Sequence, residues 1–198
     1  FFLLISSSDP VKDRILFSSL YEGEGKTFTS LNLARSLSFE INKNVLLVDT
    51  NVMSPMLGSF IANDGKEKKG LIDYLREELL ATPDVIYKTN INRLKLLPMG
   101  SCDSMSNEYL NSDAMNDLMS EFKKRYRDRV VIFDGPPLIG INEGYTLCEN
   151  IDQVIIVIED EKIKKSELLQ AVKGLPKGVK IHYLLNETIS GLQWKKTK

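Results

Sequence analysis

Short apolar runs alternate along this chain with stretches of helical spacing. Six runs read as strands: Arg14–Ser19 (RILFSS), Asn44–Thr50 (NVLLVDT), Leu94–Gly100 (LKLLPMG), Arg129–Asp134 (RVVIFD), Gln153–Glu159 (QVIIVIE) and Lys180–Asn186 (KIHYLLN). The last three are almost continuously apolar, as strands buried on both faces are, which is the habit of a parallel sheet covered by helices. Between the runs lie helical patterns. One follows a loop after the first strand and runs to about Phe39. A second, Gly70–Ala81, puts Leu71, Tyr74, Leu75 and Leu79 on one side. A third runs from Asn107 to about Arg127 and carries Leu110, Met115, Leu118, Met119 and Phe122 among polar residues. Strand alternating with helix predicts an α/β fold, a mostly parallel central sheet with helices on both faces. No internal repeat or low-complexity linker interrupts it, so the 198 residues read as one domain. Residues 1–13 and 188–198, with the tail GLQWKKTK, are expected to be peripheral or flexible, and the charged turn Asn63–Gly70 solvated.

Composition narrows the function classes. Apolar residues make up 42% and charged residues 27%, as in soluble globular proteins. Lys plus Arg is 26 and Asp plus Glu is 27, a net charge of −1, so the basic excess of a nucleic-acid binder is missing. Cys102 and Cys148 have no CxxC spacing and point to a reduced compartment. His182, the one histidine, sits in the apolar run VKIHYLL and reads as structural. No stretch approaches the roughly 20 apolar residues that cross a bilayer. The opening FFLLI is too short for that and lacks the basic start of a signal peptide. The chain does not begin with Met, which suggests a fragment, with room for a membrane segment outside it.

The candidate chemistry starts in the loop after the first strand. YEGEGKT joins an apolar strand to an amphipathic helix, the setting in which a Gly-Lys-Thr run binds phosphate. Gly23 and Gly25, with Glu24 between them, would let backbone N–H groups turn inward around phosphate oxygens. Lys26 would set a charge near the β- and γ-phosphates, Thr27 would offer its hydroxyl to Mg2+, and the helix start would add its positive dipole end. The plainer alternative is a glycine-rich turn with a helix cap. The full pattern G-x-x-x-x-G-K-T asks for Gly at position 20, where this chain has Leu20. That side chain must either point away from the phosphates or narrow the pocket. Asp49 and Asp134 close two strands at the carboxyl edge, where α/β sheets bind ligands. Asp134 suits the Mg2+-supporting carboxylate of such a site, and Asp49 could orient the attacking group or hold the metal. A helix-cap or turn role is the alternative for either.

The stretches GEGKTFTSLNLARSL, NVLLVDTNVMSPML, KGLIDYL, LKLLPMG and DRVVIFDGPPL, in this order, resemble the cytoplasmic P-loop kinase domain of the bacterial tyrosine kinases (BY-kinases). The resemblance covers about Arg14 to Asn186. It is closest to the branch of exopolysaccharide loci linked to exosortase systems. It implies a P-loop NTPase fold shared with the partition and septum-placing ATPases. Those relatives carry a signature lysine early in the loop, where this chain has Tyr21. It implies binding of ATP or ADP with Mg2+ by Gly23, Glu24, Gly25, Lys26, Thr27 and Phe28, and adenine recognition by Asn186. Lys26, Asp49 and Asp134 would be catalytic, and Thr27, Asp49 and Asp134 would serve the metal. The implied activity is a protein-tyrosine kinase or autokinase of capsule or exopolysaccharide synthesis. It would lie in the cytoplasm at the inner face of the membrane. Its partners would be a membrane polysaccharide co-polymerase or activator, fused or separate, a tyrosine-containing protein substrate and further copies of itself.

Besides Leu20, four positions depart from the family pattern. Asn51 replaces the second aspartate of the Asp-x-Asp motif and Met53 its arginine. Glu22 stands where a proline is usual, and Glu143 where an aspartate is common. The arginine-bearing N-terminal helix and the tyrosine-rich tail of such kinases are not recognisable. Asn51 and Leu20 therefore support an alternative: a nucleotide-binding, weakly active or inactive regulatory partner of a co-polymerase. A partition-type ATPase is a third and lesser reading.

Overall fold

In the computed structural model, residues 14–41, 43–61, 68–77, 79–125, 129–140, 147–160 and 162–186 are described. Both termini, Asn63 to Glu67 of the charged turn, and Glu143 lie outside these ranges. Among the described residues seven strands form one sheet in the order β3-β4-β2-β5-β1-β6-β7. They are β1 (Arg14–Ser19), β2 (Asn44–Asp49), β3 (Tyr87–Lys88), β4 (Leu94–Leu97), β5 (Arg129–Asp134), β6 (Gln153–Glu159) and β7 (Lys180–Asn186). All neighbours are parallel except β3, a two-residue strand antiparallel to β4. The helices are α1 (Lys26–Ser38), α2 (Leu71–Arg76), α3 (Thr82–Val85), α4 (Ser106–Leu110), α5 (Asp113–Arg125) and α6 (Lys165–Lys173).

Alternation along the strands divides the core into two layers. Leu16, Leu46, Val48, Val131 and Phe133 pack on one face, with Phe122 of α5 and Ile72 of α2. Ile15, Phe17, Val45, Leu47 and Ile132 pack on the other, against Leu33, Ala34 and Leu37 of α1. The central strands are buried on both faces, which is why their sequences read as unbroken apolar runs. The edge strand β7 differs. Tyr183 is 52% and Leu185 61% exposed, so its apolar run covers one face only. β3 has no apolar period to announce it; its two residues pair with Leu96 and Lys95.

Two helices differ from the sequence pattern. Helix α2 stops at Arg76, and Glu77 is already extended at φ −106° and ψ 106°. Leu79, expected on the buried side, is 98% exposed. Two consecutive glutamates, Glu77 and Glu78, follow Arg76 where a helix end is negative, and this disfavours continuation. At the other end of α2 the buried Asp73 carboxylate accepts from Gly70 N at 2.7 Å and Ser101 N at 3.1 Å, pinning the helix start to the loop after β4. The expected helix from Asn107 to Arg127 is two helices, α4 and α5. Ser112 separates them as a cap, with Met115 N donating to its hydroxyl at 3.4 Å.

This topology sets three strand ends side by side. β5 lies between β1 and β2, with Asp49 in register with Asp134, and Phe17 with Asp134. The loop after β1 therefore passes beside both aspartates.

Candidate functional site

The loop from Leu20 to Lys26 is shaped by two glycines and one buried carboxylate. Gly23 and Gly25 have φ of 85° and 89°, the left-handed region that side chains avoid. At Gly25 a Cβ would also lie 2.2 Å from Asn186 Nδ2, so a larger residue would have to displace that side chain. Glu24 is fully buried, and its Oε2 accepts from Leu20 N and Tyr21 N, both at 2.8 Å. Its carbonyl accepts from Asn186 Nδ2 at 3.1 Å, which ties the loop to the end of β7. The Glu24 side chain is thus a brace inside the loop. Leu20 is fully buried in the layer opposite α1, beside Leu16. It continues the even-numbered face of β1, points into the core and leaves the loop interior free.

α1 starts at Lys26, with Thr29 N and Oγ1 both bonded to Gly25 O at 3.0 and 2.8 Å. The Lys26 side chain is only 3% exposed, and Nζ meets Glu22 Oε2 at 3.0 Å. The other oxygen of Glu22 accepts from Asn51 Nδ2 at 3.4 Å. Asn51 is buried, and its Oδ1 has no hydrogen-bond partner.

The two aspartates have different surroundings. Asp49 accepts from three backbone N–H groups: Asn51 at 3.2 Å, and Met56 and Leu57 at 3.0 Å each. It fixes the loop after β2 and caps the short 3-10 turn Leu57–Phe60. Burial and the nearby Asp134 charge nevertheless push its pKa up to about 7. Asp134 is buried too, and its pKa rises to about 6 through desolvation, held back by the Thr27 hydroxyl, the Lys26 ammonium and the Ser30 hydroxyl. Its Oδ1 is buried without a partner. Its carbonyl accepts from Thr50 N at 2.9 Å and Thr50 Oγ1 at 3.0 Å, locking the ends of β2 and β5 together.

Lys26, Thr27, Asp49 and Asp134 are thus gathered at one sheet edge, and Asn186 reaches the loop from β7. Phe28 faces outward from the first turn of α1 and is 70% exposed. A hydroxyl at Thr27 beside a carboxylate with a spare buried oxygen is a donor set that suits a hydrated Mg2+. His182 lies within β7 with Nε2 buried and unpartnered. No cluster of three metal-binding side chains occurs among the described residues. Both cysteines are free thiols, Cys102 exposed and Cys148 buried.

Comparison with known proteins agrees with this geometry. A family model described as an AAA domain matches residues 13–185. The tyrosine-protein kinase CpsD of Streptococcus pneumoniae serotype 4 is 30% identical over 164 residues, covering 81% of this chain and 69% of that protein. The chain belongs to the bacterial tyrosine-kinase family. EpsB of Ralstonia nicotianae is 25% identical over 173 residues, which is 87% of this chain but only 22% of that much longer relative. Among solved structures, the VpsO kinase domain superposes with a TM-score of 0.79 at 26% identity, covering 93% of this chain and 89% of that one. The mostly parallel sheet, the helices on both faces and the phosphate loop after β1 are those of a BY-kinase-like P-loop NTPase.

Three residues of the site were not legible as such. Glu22 departs from the family's usual proline, and no local pattern announces its contact with Lys26, since it lies in the loop before α1. Ser30, one turn into α1 from Lys26, and Thr50, beside Asp49, act on Asp134 from two directions. Small hydroxyl residues in a helix and after a strand carry no distinctive pattern.

Proposed function

We infer that this chain is the nucleotide-binding kinase domain of a protein-tyrosine kinase or autokinase that regulates capsule or exopolysaccharide synthesis, within the exosortase-linked branch. The observation that carries this reading is the buried Lys26 at the start of α1, set against Asp134 with its unpartnered oxygen, in a chain of this family. Gly23 to Thr27 would cradle the phosphates with backbone N–H groups, Lys26 would neutralise their charge, and Asn186 would read the adenine edge. Thr27 and Asp134 would hold Mg2+, with Asp49 completing the acidic set. The metal would supply charge neutralisation at the transferring phosphoryl group. The acceptor would be a tyrosine hydroxyl of a protein substrate or of another copy of the chain. A membrane co-polymerase or activator, fused or separate, would hold the domain at the inner face of the bacterial membrane.

A specific observation supports a second reading, a nucleotide-binding regulatory partner with little phosphotransfer. At the end of β2 the Asp49 carboxylate is engaged by three N–H groups, and residue 51 is an amide, which cannot accept a proton from the acceptor hydroxyl. The two readings separate in one assay of phosphotyrosine formation with MgATP and a supplied tyrosine-containing acceptor. A kinase forms phosphotyrosine in wild type and none in Asp134→Asn. Nucleotide binding without phosphotyrosine, with a gain on Asn51→Asp, selects the regulatory partner.

A further inference from the structure

Lys26 is almost completely buried, so its charge needs a partner inside the fold. Glu22 supplies one, with Oε2 3.0 Å from Nζ. Glu22 itself is 44% exposed. It can swing into water at little cost, whereas Lys26 cannot follow. Its second oxygen rests on Asn51 Nδ2 at 3.4 Å, so the carboxylate spans from the phosphate loop to the end of β2. A phosphate that takes the Lys26 ammonium must evict this carboxylate, because both anions compete for the same donors. Once evicted, Glu22 stays within the same loop and continues to repel the phosphate charge.

We propose that Glu22 is an internal anion that occupies Lys26 and is displaced by the β-phosphate of an incoming nucleotide, making it a determinant of nucleotide affinity and of selectivity for phosphate number. This rests on the nucleotide-binding reading above. The lysine of such a loop serves the β- and γ-phosphates. ADP and ATP therefore have to break the Glu22 contact, and AMP does not. Asn51 is the positioning residue: its amide steadies the carboxylate, where a carboxylate at position 51 would repel it.

The test is titration calorimetry of AMP, MgADP and MgATP against wild type, Glu22→Gln and Glu22→Ala. Gln is nearly isosteric, and the half-exposed position tolerates it, while circular dichroism checks the fold of every variant. Both substitutions are expected to tighten MgADP and MgATP by roughly two- to five-fold, the range for a partly exposed ion pair. AMP should not change. If wild type binds MgADP and the Glu22 variants bind it no tighter, Glu22 does not compete and the proposal is overturned. An equal gain for AMP would also overturn it, by showing a general field effect rather than a contact. Absence of binding in every folded variant would bring down the nucleotide-binding reading, and this proposal with it.

Discussion

Single side chains decide whether this loop can work. Leu20 breaks the sequence pattern yet lies in the core, so its role is packing. Leu20→Ala should destabilise the fold by about 2–4 kcal/mol, the usual cost of emptying a buried leucine site. Nucleotide affinity should stay unchanged once the protein is kept folded. Urea unfolding and calorimetry on the same variant check both parts. The aspartates give a second expectation. The pKa of Asp49 is raised from 3.8 to about 7, and that of Asp134 from 3.8 to about 6. The folded protein therefore holds protons that the unfolded chain has released. Stability of the nucleotide-free protein is greatest below about pH 4 as far as these groups act, and it is lost as pH rises through 6 and 7. Each group contributes about 1.4 kcal/mol per pH unit inside its window. Urea midpoints from pH 5 to 8 test this, and Asp134→Asn should flatten the slope between pH 5 and 6. A slope that survives in that variant unchanged would assign the effect elsewhere.

At the scale of elements, the site depends on how β1, the loop and β7 lock together. Gly25 is the joint: it carries a φ of 89° and sits so close to Asn186 that a methyl group would have to displace its amide. Gly25→Ala should both strain the loop and push Asn186 off the Glu24 carbonyl, costing about 1–3 kcal/mol. Nucleotide binding should be lost before the fold is. Asn186→Ala should weaken binding more mildly, since the loop keeps its left-handed glycines and the Glu24 brace. Calorimetry beside thermal unfolding separates the two variants; equal losses in both would mean that the backbone conformation at Gly25 is not the critical feature. The same scale shows why element ends were hard to read. The apolar side of α2 continues in the sequence through Leu79, but the helix ends at Arg76, before two glutamates that the negative end of a helix disfavours. The hydroxyl of Ser112 divides α4 from α5 without disturbing the apolar period on either side.

Across the whole molecule, the sheet was legible because its central strands are buried on both faces and so advertise themselves as apolar runs. β1, β5, β6 and β7 have the bounds that the runs predict. The antiparallel β3 was not legible, since one half-buried and one exposed residue carry no period. For the site, Lys26, Thr27, Asp49 and Asp134 could be named because each sits at a strand end or helix start that the pattern marks. What could not be read was pairing across the chain: Glu22 with Asn51, Asn186 with Glu24, Thr50 with Asp134. Those contacts follow from strand order, which places β5 between β1 and β2 and β7 beside β6, and which no local pattern encodes. On the function proposed above, this assembly is a MgATP site on a bacterial tyrosine-kinase domain. Titration calorimetry with MgATP, on wild type beside folded Lys26→Ala, tests it most directly. Saturable binding in wild type and its loss in Lys26→Ala is the predicted result. No binding by the folded wild type, or equal affinity in Lys26→Ala, would contradict it.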